Sequence, residues 1–294
     1  MNALCWNCRG AGKPTAVREL REFAKKFTPT LLCIVETQIE GSRVEALASS
    51  IGYDNAYAVD SQGRSGGIGL FWNNVIKIEI LGYSCYHLDV SVEEEGEDKW
   101  RLTCVCGEAQ THLRHQTWTV LKNISSLSSL PWICIGDFNE VLCPTEHEGV
   151  GQRSNAQIQA FRDTIDVCML IDLGYKGHFW TFEKKVVGVN YTRVRLDRAL
   201  ATAEWNELFP NAQLKHLSSA SSDHCPIISD MTTRKKSFRY EVMWETHESW
   251  GETILANWTE RGAAKRLDYP RAKLTRFQIC GASGLMEQKY LRYG

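Results

Sequence analysis

Polar residues able to bind a metal or move a proton lie at the ends of several short apolar segments of the chain. They are Asn7, Glu36, Asp137 with Asn139, Asp197, and Asp223 with His224. A single carboxylate after a strand is usually a turn residue or a helix cap. Together, however, carboxylates, amides and one histidine form a set that suits a hard divalent cation and an activated water.

The elements that must position these residues can be read from hydrophobic periodicity. Strands are predicted over Ala3–Trp6, Leu31–Val35, Gly67–Trp72, Val75–Ile80, His87–Val92, Arg101–Cys106, Trp132–Ile135, Phe179–Phe182, Arg193–Leu196, Gln213–Leu217 and Pro226–Met231. Helical faces are predicted from Val17, Leu20, Ala24 and Phe27, from Trp118, Leu121 and Ile124, and from Ile158, Phe161, Ile165 and Met169. Strands interleaved with helices indicate an α/β domain. The strands between Gly67 and Cys106 leave no room for helices, so antiparallel pairs must also be present and the sheets must be mixed.

Composition excludes a disordered chain. Of 294 residues, 43% are apolar and 23% are charged, and the formal net charge is −1. No apolar run approaches the roughly 20 residues of a membrane span, and no signal peptide is recognisable at the N-terminus. Most of the 11 cysteines lie in strand-like apolar segments, which favours a reducing compartment. We expect an intracellular protein, nuclear or cytoplasmic, that is not held in a membrane.

Composition changes near residue 232. Residues 232–294 carry 12 basic and 7 acidic side chains, a charge of +5, against −6 for residues 1–231. The later segment opens with a basic cluster and has tryptophans at loosely helical spacing. We predict one domain over 1–231 and, over 232–294, a basic linker with a helical extension that is truncated before a further domain.

Six motifs in order resemble one family. They are Trp6-Asn7-Cys8-Arg9-Gly10, Val35-Glu36-Thr37, Ser65-Gly66-Gly67-Ile68-Gly69, Gly136-Asp137-Phe138-Asn139-Glu140, Arg195-Leu196-Asp197-Arg198 and Ser222-Asp223-His224-Cys225-Pro226. They resemble the exonuclease–endonuclease–phosphatase superfamily over roughly residues 1–231. The segments Pro131–Glu140 and Leu196–Leu200 are closest to the endonuclease domain of plant LINE-type (non-LTR) retrotransposons.

The resemblance implies a four-layer α/β sandwich, like that of deoxyribonuclease, in which helices flank two mixed sheets. It also implies Mg²⁺-dependent nicking of DNA, with Mn²⁺ as a substitute ion and a reverse transcriptase domain as the partner in the full family protein. The implied metal ligands are Glu36 and, at a second or supporting position, Asp223.

The resemblance also assigns roles to the remaining site residues. Asp137 would be the general base, and Asn139 would hold the phosphate or the water. His224 would donate to the phosphate oxygen, oriented by Asp197. Asn7 would orient the metal shell or the phosphate. Two further residues are implied or predicted to contact the substrate. They are Thr181, in the altered segment Phe179-Trp180-Thr181-Phe182, and Arg9, in a basic stretch that either tracks DNA phosphates or forms a solvated helix face.

One departure from the family pattern bears on activity. The strand that in the family ends Val-Tyr-Gly here reads Val105-Cys106-Gly107, so a short, weakly donating thiol replaces a tyrosine hydroxyl. Catalysis is therefore expected to be impaired. Two alternatives stay open: a catalytically silent remnant that binds DNA or protein, and a phosphatase of inositol phosphates or lipid head groups.

Restoring the family residue tests this expectation. If the thiol at position 106 limits catalysis, Cys106→Tyr should raise the rate of plasmid nicking in Mg²⁺. A rate equal to that of the parent chain would assign Cys106 to the core alone.

Overall fold

Two mixed β-sheets form the centre of the structure. The computed structural model describes residues 1–63, 65–185 and 191–231, and the predicted linker and extension over 232–294 lie outside them. The first half contains β1 (Asn2–Asn7), α1 (Pro14–Phe27), β2 (Leu31–Val35), α2 (Gly41–Glu45), α3 (Ala48–Ile51), β3 (Asn55–Val59), β4 (Ile68–Trp72), β5 (Ile76–Ser84), β6 (His87–Glu94), β7 (Trp100–Cys106) and α4 (His115–Ser125). The second half contains β8 (Trp132–Asp137), β9 (His147–Glu148), α5 (Asn155–Val167), β10 (Ile171–Asp172), β11 (Phe182–Lys185), β12 (Tyr191–Val194), β13 (Asp197–Ala201), α6 (Ala203–Leu208), β14 (Gln213–His216) and β15 (Ile227–Asp230).

Each large sheet has six strands and one parallel pair at its centre. The first sheet runs β14-β15-β1-β2-β4-β3, and the second runs β10-β13-β8-β7-β6-β5. The pairs β1–β2 and β7–β8 are parallel, and the other pairs are antiparallel. A third, three-stranded sheet has the order β11-β12-β9. The predicted α/β class and mixed sheets are confirmed.

Alternation along the central strands produces the layers. In β1, Ala3 and Cys5 belong to the core shared by the two sheets, whereas Leu4 and Trp6 belong to the core that includes α1. In β8, Ile133 faces the shared core, and Trp132 faces the core formed with α4 and α5. Because successive side chains of a strand point to opposite faces, strands buried on both faces give four layers, in the order helices, sheet, sheet, helices.

Several predicted elements have different limits in the structure. Phe179–Thr181 is not a strand, since β11 begins at Phe182, and β12 ends at Val194 so that Asp197 opens the separate strand β13. The strand β3 carries mostly half-buried residues and was not predicted. Helix α5 ends at Val167, so Met169 has a left-handed backbone and is 77% exposed rather than part of the apolar face.

Two further features of the described residues are the lengths of the helices and the state of the cysteines. No helix in the described part of the chain is long and apolar enough to cross a membrane. The ten cysteines in the described ranges are all free thiols, and most of them are buried. They pack as small apolar side chains rather than as covalent cross-links.

A buried ion pair holds the second sheet to its helices. The Arg101 guanidinium donates to both oxygens of Asp89, at 2.7 to 3.1 Å, and to the Ile124 carbonyl at 2.9 Å. Thr103 donates to the same Asp89 carboxylate at 2.7 Å, and the guanidinium lies 4.6 Å from the centre of the Trp132 ring. Both charged side chains are almost fully buried, so neither can exchange its partner for water.

Removing one member of this pair should destabilise the fold. Arg101→Met leaves Asp89 buried without its cation, so we expect a loss of about 3–5 kcal/mol in the free energy of unfolding. Urea denaturation measures it. As a matched control, Glu79→Gln breaks the exposed Glu79–Lys99 pair on the same sheet and should leave the urea midpoint nearly unchanged. Equal effects of the two substitutions would contradict this assignment.

Candidate active site

The two sheets meet at a cluster of buried polar side chains at the ends of their central strands. Asn7 is the last residue of β1, Asp137 is the last residue of β8, and Asp197 is paired with Asp137 as the first residue of β13. The Asn7 amide donates to Asp137 Oδ2 at 2.9 Å and so connects the two sheets. The backbone leading to Asp137 also requires glycine, because a Cβ at position 136 would lie 2.1 Å from the Val105 carbonyl oxygen.

His224 lies between two carboxylates. Its Nδ1 is 2.9 Å from Asp197 Oδ2, and its Nε2 is 3.7 Å from Asp137 Oδ2. The Asn7 amide nitrogen is 3.5 Å from the same Nε2. All four residues are at most 2% exposed. The Asp197 carboxylate accepts from Nδ1 and therefore leaves Nε2 directed toward Asp137 and Asn7.

The electrostatics of the cluster favour an imidazolium. Burial lowers the pKa of His224, but the charges of Asp197 and Asp137 outweigh it and raise the pKa to about 9. Burial, together with the negative charge of Asp197, raises the pKa of Asp137 above its ordinary value, although the positive charge of His224 and the hydrogen bonds from Asn139 and Asn7 act in the opposite direction. At neutral pH the histidine is thus positioned to donate a proton or a hydrogen bond.

Asn139 completes the cluster. Its backbone is left-handed, with φ of 53°, which turns its amide N–H back to Asp137 Oδ1 at 2.8 Å. Its side-chain nitrogen donates to the Gly107 carbonyl at 2.8 Å and lies 3.3 Å from Asp137 Oδ2. A non-glycine residue in this conformation costs energy that the surrounding contacts must offset. Asn139 therefore fixes the rotamer of Asp137.

Thr181 supports the strand that carries Asp197. It is fully buried, and its hydroxyl oxygen accepts from the amide nitrogens of Leu196 and Asp197, both at 2.9 Å. The side chain thus holds the backbone at the start of β13 and positions the carboxylate that binds His224. The contact of Thr181 with a substrate stays a prediction.

Arg9 and Asp223 bind each other at the surface. Arg9 Nε donates to Asp223 Oδ1 at 2.9 Å, and the two side chains are 42% and 29% exposed. The Arg9 guanidinium also lies 5.9 Å from the centre of the Phe182 ring. Arg9 is therefore placed where a phosphate could reach it. The predicted role of Asp223 as a metal ligand is less favourable, because one of its oxygens already neutralises a cation.

Glu36 lies beside the cluster and opens into a polar pocket. It follows β2 directly, is half-buried and has a left-handed backbone with φ of 55°. Gln38 donates to its Oε2 at 3.2 Å, and the Cys106 thiol donates to its Oε1 at 3.8 Å. Burial and the charges of Glu36 and Asp137 raise the pKa of the Cys106 thiol well above its usual range, so the thiol is neutral.

Two places could hold a metal ion. The ligand atoms of Asp137, Asp197 and His224 lie within 4.8 Å of one another. An imidazolium cannot ligate a metal, however, and the Asp197 carboxylate already accepts from its Nδ1, so this trio does not offer three ligands to one ion. The Glu36 carboxylate, facing an open pocket with polar walls, is the hard oxygen donor that Mg²⁺ prefers. The residues therefore fit a divalent cation at Glu36.

Glu19 on α1 was missed by the sequence analysis. Its carboxylate accepts from the amides of Ala220 and Ser221 at 2.8 and 3.0 Å, and from the hydroxyls of Ser219 and Ser221. Ser222, next in this loop, donates to the Asn7 carbonyl at 2.8 Å and accepts from the His224 amide at 3.1 Å. The loop that carries His224 is thus tied to α1 and β1. Clustered serines beside the histidine were the available signal.

One protein-family model matches most of the chain. Residues 4–224 match the model of the Endonuclease/Exonuclease/phosphatase family. No curated protein matches the chain.

Solved structures resemble the fold at low sequence identity. The endonuclease domain of TRAS1, a telomere-specific non-LTR retrotransposon, is 15% identical with a TM-score of 0.61, over 80% of this chain and 99% of that one. The AP endonuclease LMAP from Leishmania major is 16% identical with a TM-score of 0.61, over 79% and 88%. The 3′ phosphatase NExo from Neisseria, bound to a product DNA hairpin, is 13% identical with a TM-score of 0.60, over 79% and 99%.

The charge on His224 gives a testable titration. We expect its imidazole NMR signals, assigned by their loss in His224→Gln, to titrate near pH 9. Asp197→Asn removes the carboxylate that contributes most to raising the pKa of His224, so burial should then bring that pKa below its value in the parent chain. Asp223→Asn, the weaker contributor, should lower the pKa of His224 less.

Because the folded pKa of His224 exceeds the unfolded value of about 6.5, this group stabilises the fold fully below pH 6.5 and loses that effect as pH rises through 9. A His224 pKa near 6.5 in the parent chain would refute the ion-pair description.

Proposed function

Because the chain belongs to the Endonuclease/Exonuclease/phosphatase family over residues 4–224, we propose that it is a metal-dependent phosphodiesterase that nicks DNA. The observation that carries the proposal is the buried Asp197–His224–Asp137 arrangement, with Asn7 bridging the two sheets. The retrotransposon and AP endonucleases of similar fold support DNA as the substrate, as does the neighbour bound to a DNA hairpin.

The chain's own residues supply acid–base chemistry in this proposal. Asp137 accepts the proton of the attacking water, and its ionised form is supported by the His224 charge and by hydrogen bonds from Asn7 and Asn139. His224 Nε2 donates to a phosphate oxygen as negative charge develops there. Asp197 holds Nδ1 and so fixes both the ring orientation and the charge.

The remaining site residues position the substrate and the ion. Arg9 is exposed enough to pair with a DNA phosphate in exchange for Asp223. Glu36 would hold Mg²⁺, or Mn²⁺ as a substitute, and the ion would neutralise charge on the phosphate and on the leaving oxygen. A nick made by such an enzyme leaves ends that a reverse transcriptase can use. We infer a retrotransposon origin of the plant LINE type, with that polymerase as partner, and an intracellular setting.

Two other functions, a phosphatase and a catalytically silent DNA-binding remnant, would give results different from those of a nuclease. The neighbouring 3′ phosphatase favours a phosphatase, since the same residues can act on a monoester. The thiol at position 106 favours a catalytically silent remnant that binds DNA. The first would release phosphate from 3′-phosphorylated DNA or an inositol phosphate without nicking, and the second would bind duplex DNA, more weakly at higher salt, without either reaction.

A plasmid assay tests the proposed function. The purified chain should convert supercoiled plasmid to the nicked form in Mg²⁺ or Mn²⁺ and not in chelator. Asp137→Asn and His224→Gln should each reduce the rate by about 10²-fold or more, since they remove the base and the oxyanion donor. Asp163→Asn, an equal change in charge on the exposed face of α5, should leave the rate unchanged. Nicking that persists in Asp137→Asn would overturn the mechanism.

A further inference from the structure

A pocket beside the buried cluster combines carboxylates with thiols. Its walls include Glu36, Cys85, Tyr86, Cys106 and Glu108. Tyr86 donates to Glu108 Oε2 at 3.3 Å, and Glu108 Oε1 accepts from the Gln110 amide at 2.8 Å. The Glu36 carboxylate, by contrast, has an amide and a thiol as its side-chain partners. Glu36 and Cys106 therefore supply the oxygen and sulfur atoms of the pocket that could bind a cation.

The separation of these two ligand atoms suits a single bridging metal ion. Cys106 Sγ lies 3.8 Å from Glu36 Oε1. In a tetrahedral zinc site, with Zn–S of about 2.3 Å and Zn–O of about 2.1 Å, the sulfur and oxygen lie about 3.6 Å apart. An ion can thus bind both atoms with only a small movement of the Glu36 side chain, which is half-buried.

We propose that Glu36 and Cys106 form a mixed oxygen–sulfur site that binds a thiophilic divalent cation of the Zn²⁺ class more tightly than Mg²⁺. The inference rests on the proposed function for the assignment of Glu36 to a metal. On binding, the S–H bond breaks, its proton passes to solvent, and a metal–thiolate bond replaces one metal–water bond. Water fills the remaining positions. Thiolate ligands select Zn²⁺ and Cd²⁺ because these ions are softer than Mg²⁺, which keeps to oxygen.

Cys106 at this position would then affect metal binding, in addition to the loss of a tyrosine hydroxyl. A thiophilic ion held at Glu36 occupies the carboxylate that Mg²⁺ would use, so the two ions compete for it. The sulfur comes from the end of β7, and the oxygen comes from the residue after β2. The site thus draws on one strand end from each large sheet, and both backbones are fixed by the sheets.

Cd²⁺ binding to the intact chain tests the proposal without reference to catalysis. Thiolate ligation of Cd²⁺ gives a charge-transfer band in the ultraviolet, which we expect in the parent chain. In Cys106→Ser we expect the absorbance of this band to fall by the contribution of one thiolate. Glu36→Gln should weaken Cd²⁺ binding by about tenfold or more, since loss of a mere supporting partner already costs that much at metal sites. Glu36 is half-buried, and Gln keeps the size and shape of its side chain, so we expect this variant to fold. Cys143→Ser changes a partly exposed thiol elsewhere and is the matched control.

The outcomes separate this proposal from the proposed function. A band and an affinity that are unchanged in both Cys106→Ser and Glu36→Gln would overturn the site, as would a band lost in Cys85→Ser but kept in Cys106→Ser. Easy displacement of Cd²⁺ by equimolar Mg²⁺ would also overturn it. A Cd²⁺ band with the expected losses, in a chain that nicks no plasmid with any metal, would keep the site and refute the nuclease.

Discussion

The candidate site depends on the balance of one buried imidazolium between two buried carboxylates. Loss of the imidazolium would leave two buried carboxylates without a cation, and burial without the carboxylates would make His224 neutral. Asp197 therefore has two effects: it holds the ring in place and it keeps the ring charged. The hydrogen bonds from Asn7 and Asn139 to Asp137 stabilise the second carboxylate beside the same ring. The chemistry of the site follows from this balance.

Sheet topology explains why these residues can meet. Asn7 and Asp137 end strands of different sheets, and the register of β8 with β13 places Asp197 directly beside Asp137. The loop between β14 and β15 brings His224 to the same edge, where the Trp6 indole donates to its carbonyl at 3.3 Å. Backbone hydrogen bonds between strands thus bring together residues that are more than two hundred positions apart. The Glu19 carboxylate also accepts from the amide of Ser221 in the loop that carries His224. Rigid strands, rather than flexible loops, thus fix the positions of three of the four side chains of the buried cluster.

The sequence was sufficient for the strands whose side chains are apolar on both faces, and for the polar residues at their ends. It failed where the local pattern is weak. Strand β13 opens with Asp197, a charged residue that reads as the end of the preceding segment. Thr181 resembles a surface residue until the hydrogen bonds to its hydroxyl are seen. The ties from Glu19 and from Arg9 involve partners about two hundred residues away, and no local spacing encodes them.

The segment Arg195–Arg198 shows how one short motif can serve both the fold and the site. Arg195 and Arg198 each bind Glu146 and Asp172 in a network of four buried or nearly buried charges. Asp197, between them in sequence, binds His224 instead. Asp197 and Arg198 are adjacent residues of β13, so their side chains point to opposite faces of the strand. Arg195 precedes that strand and binds the same two carboxylates as Arg198. The charges of this network lower the pKa of Glu146 and of Asp172 despite burial. Both therefore stay ionised and keep the segment, and with it Asp197, in place at neutral pH.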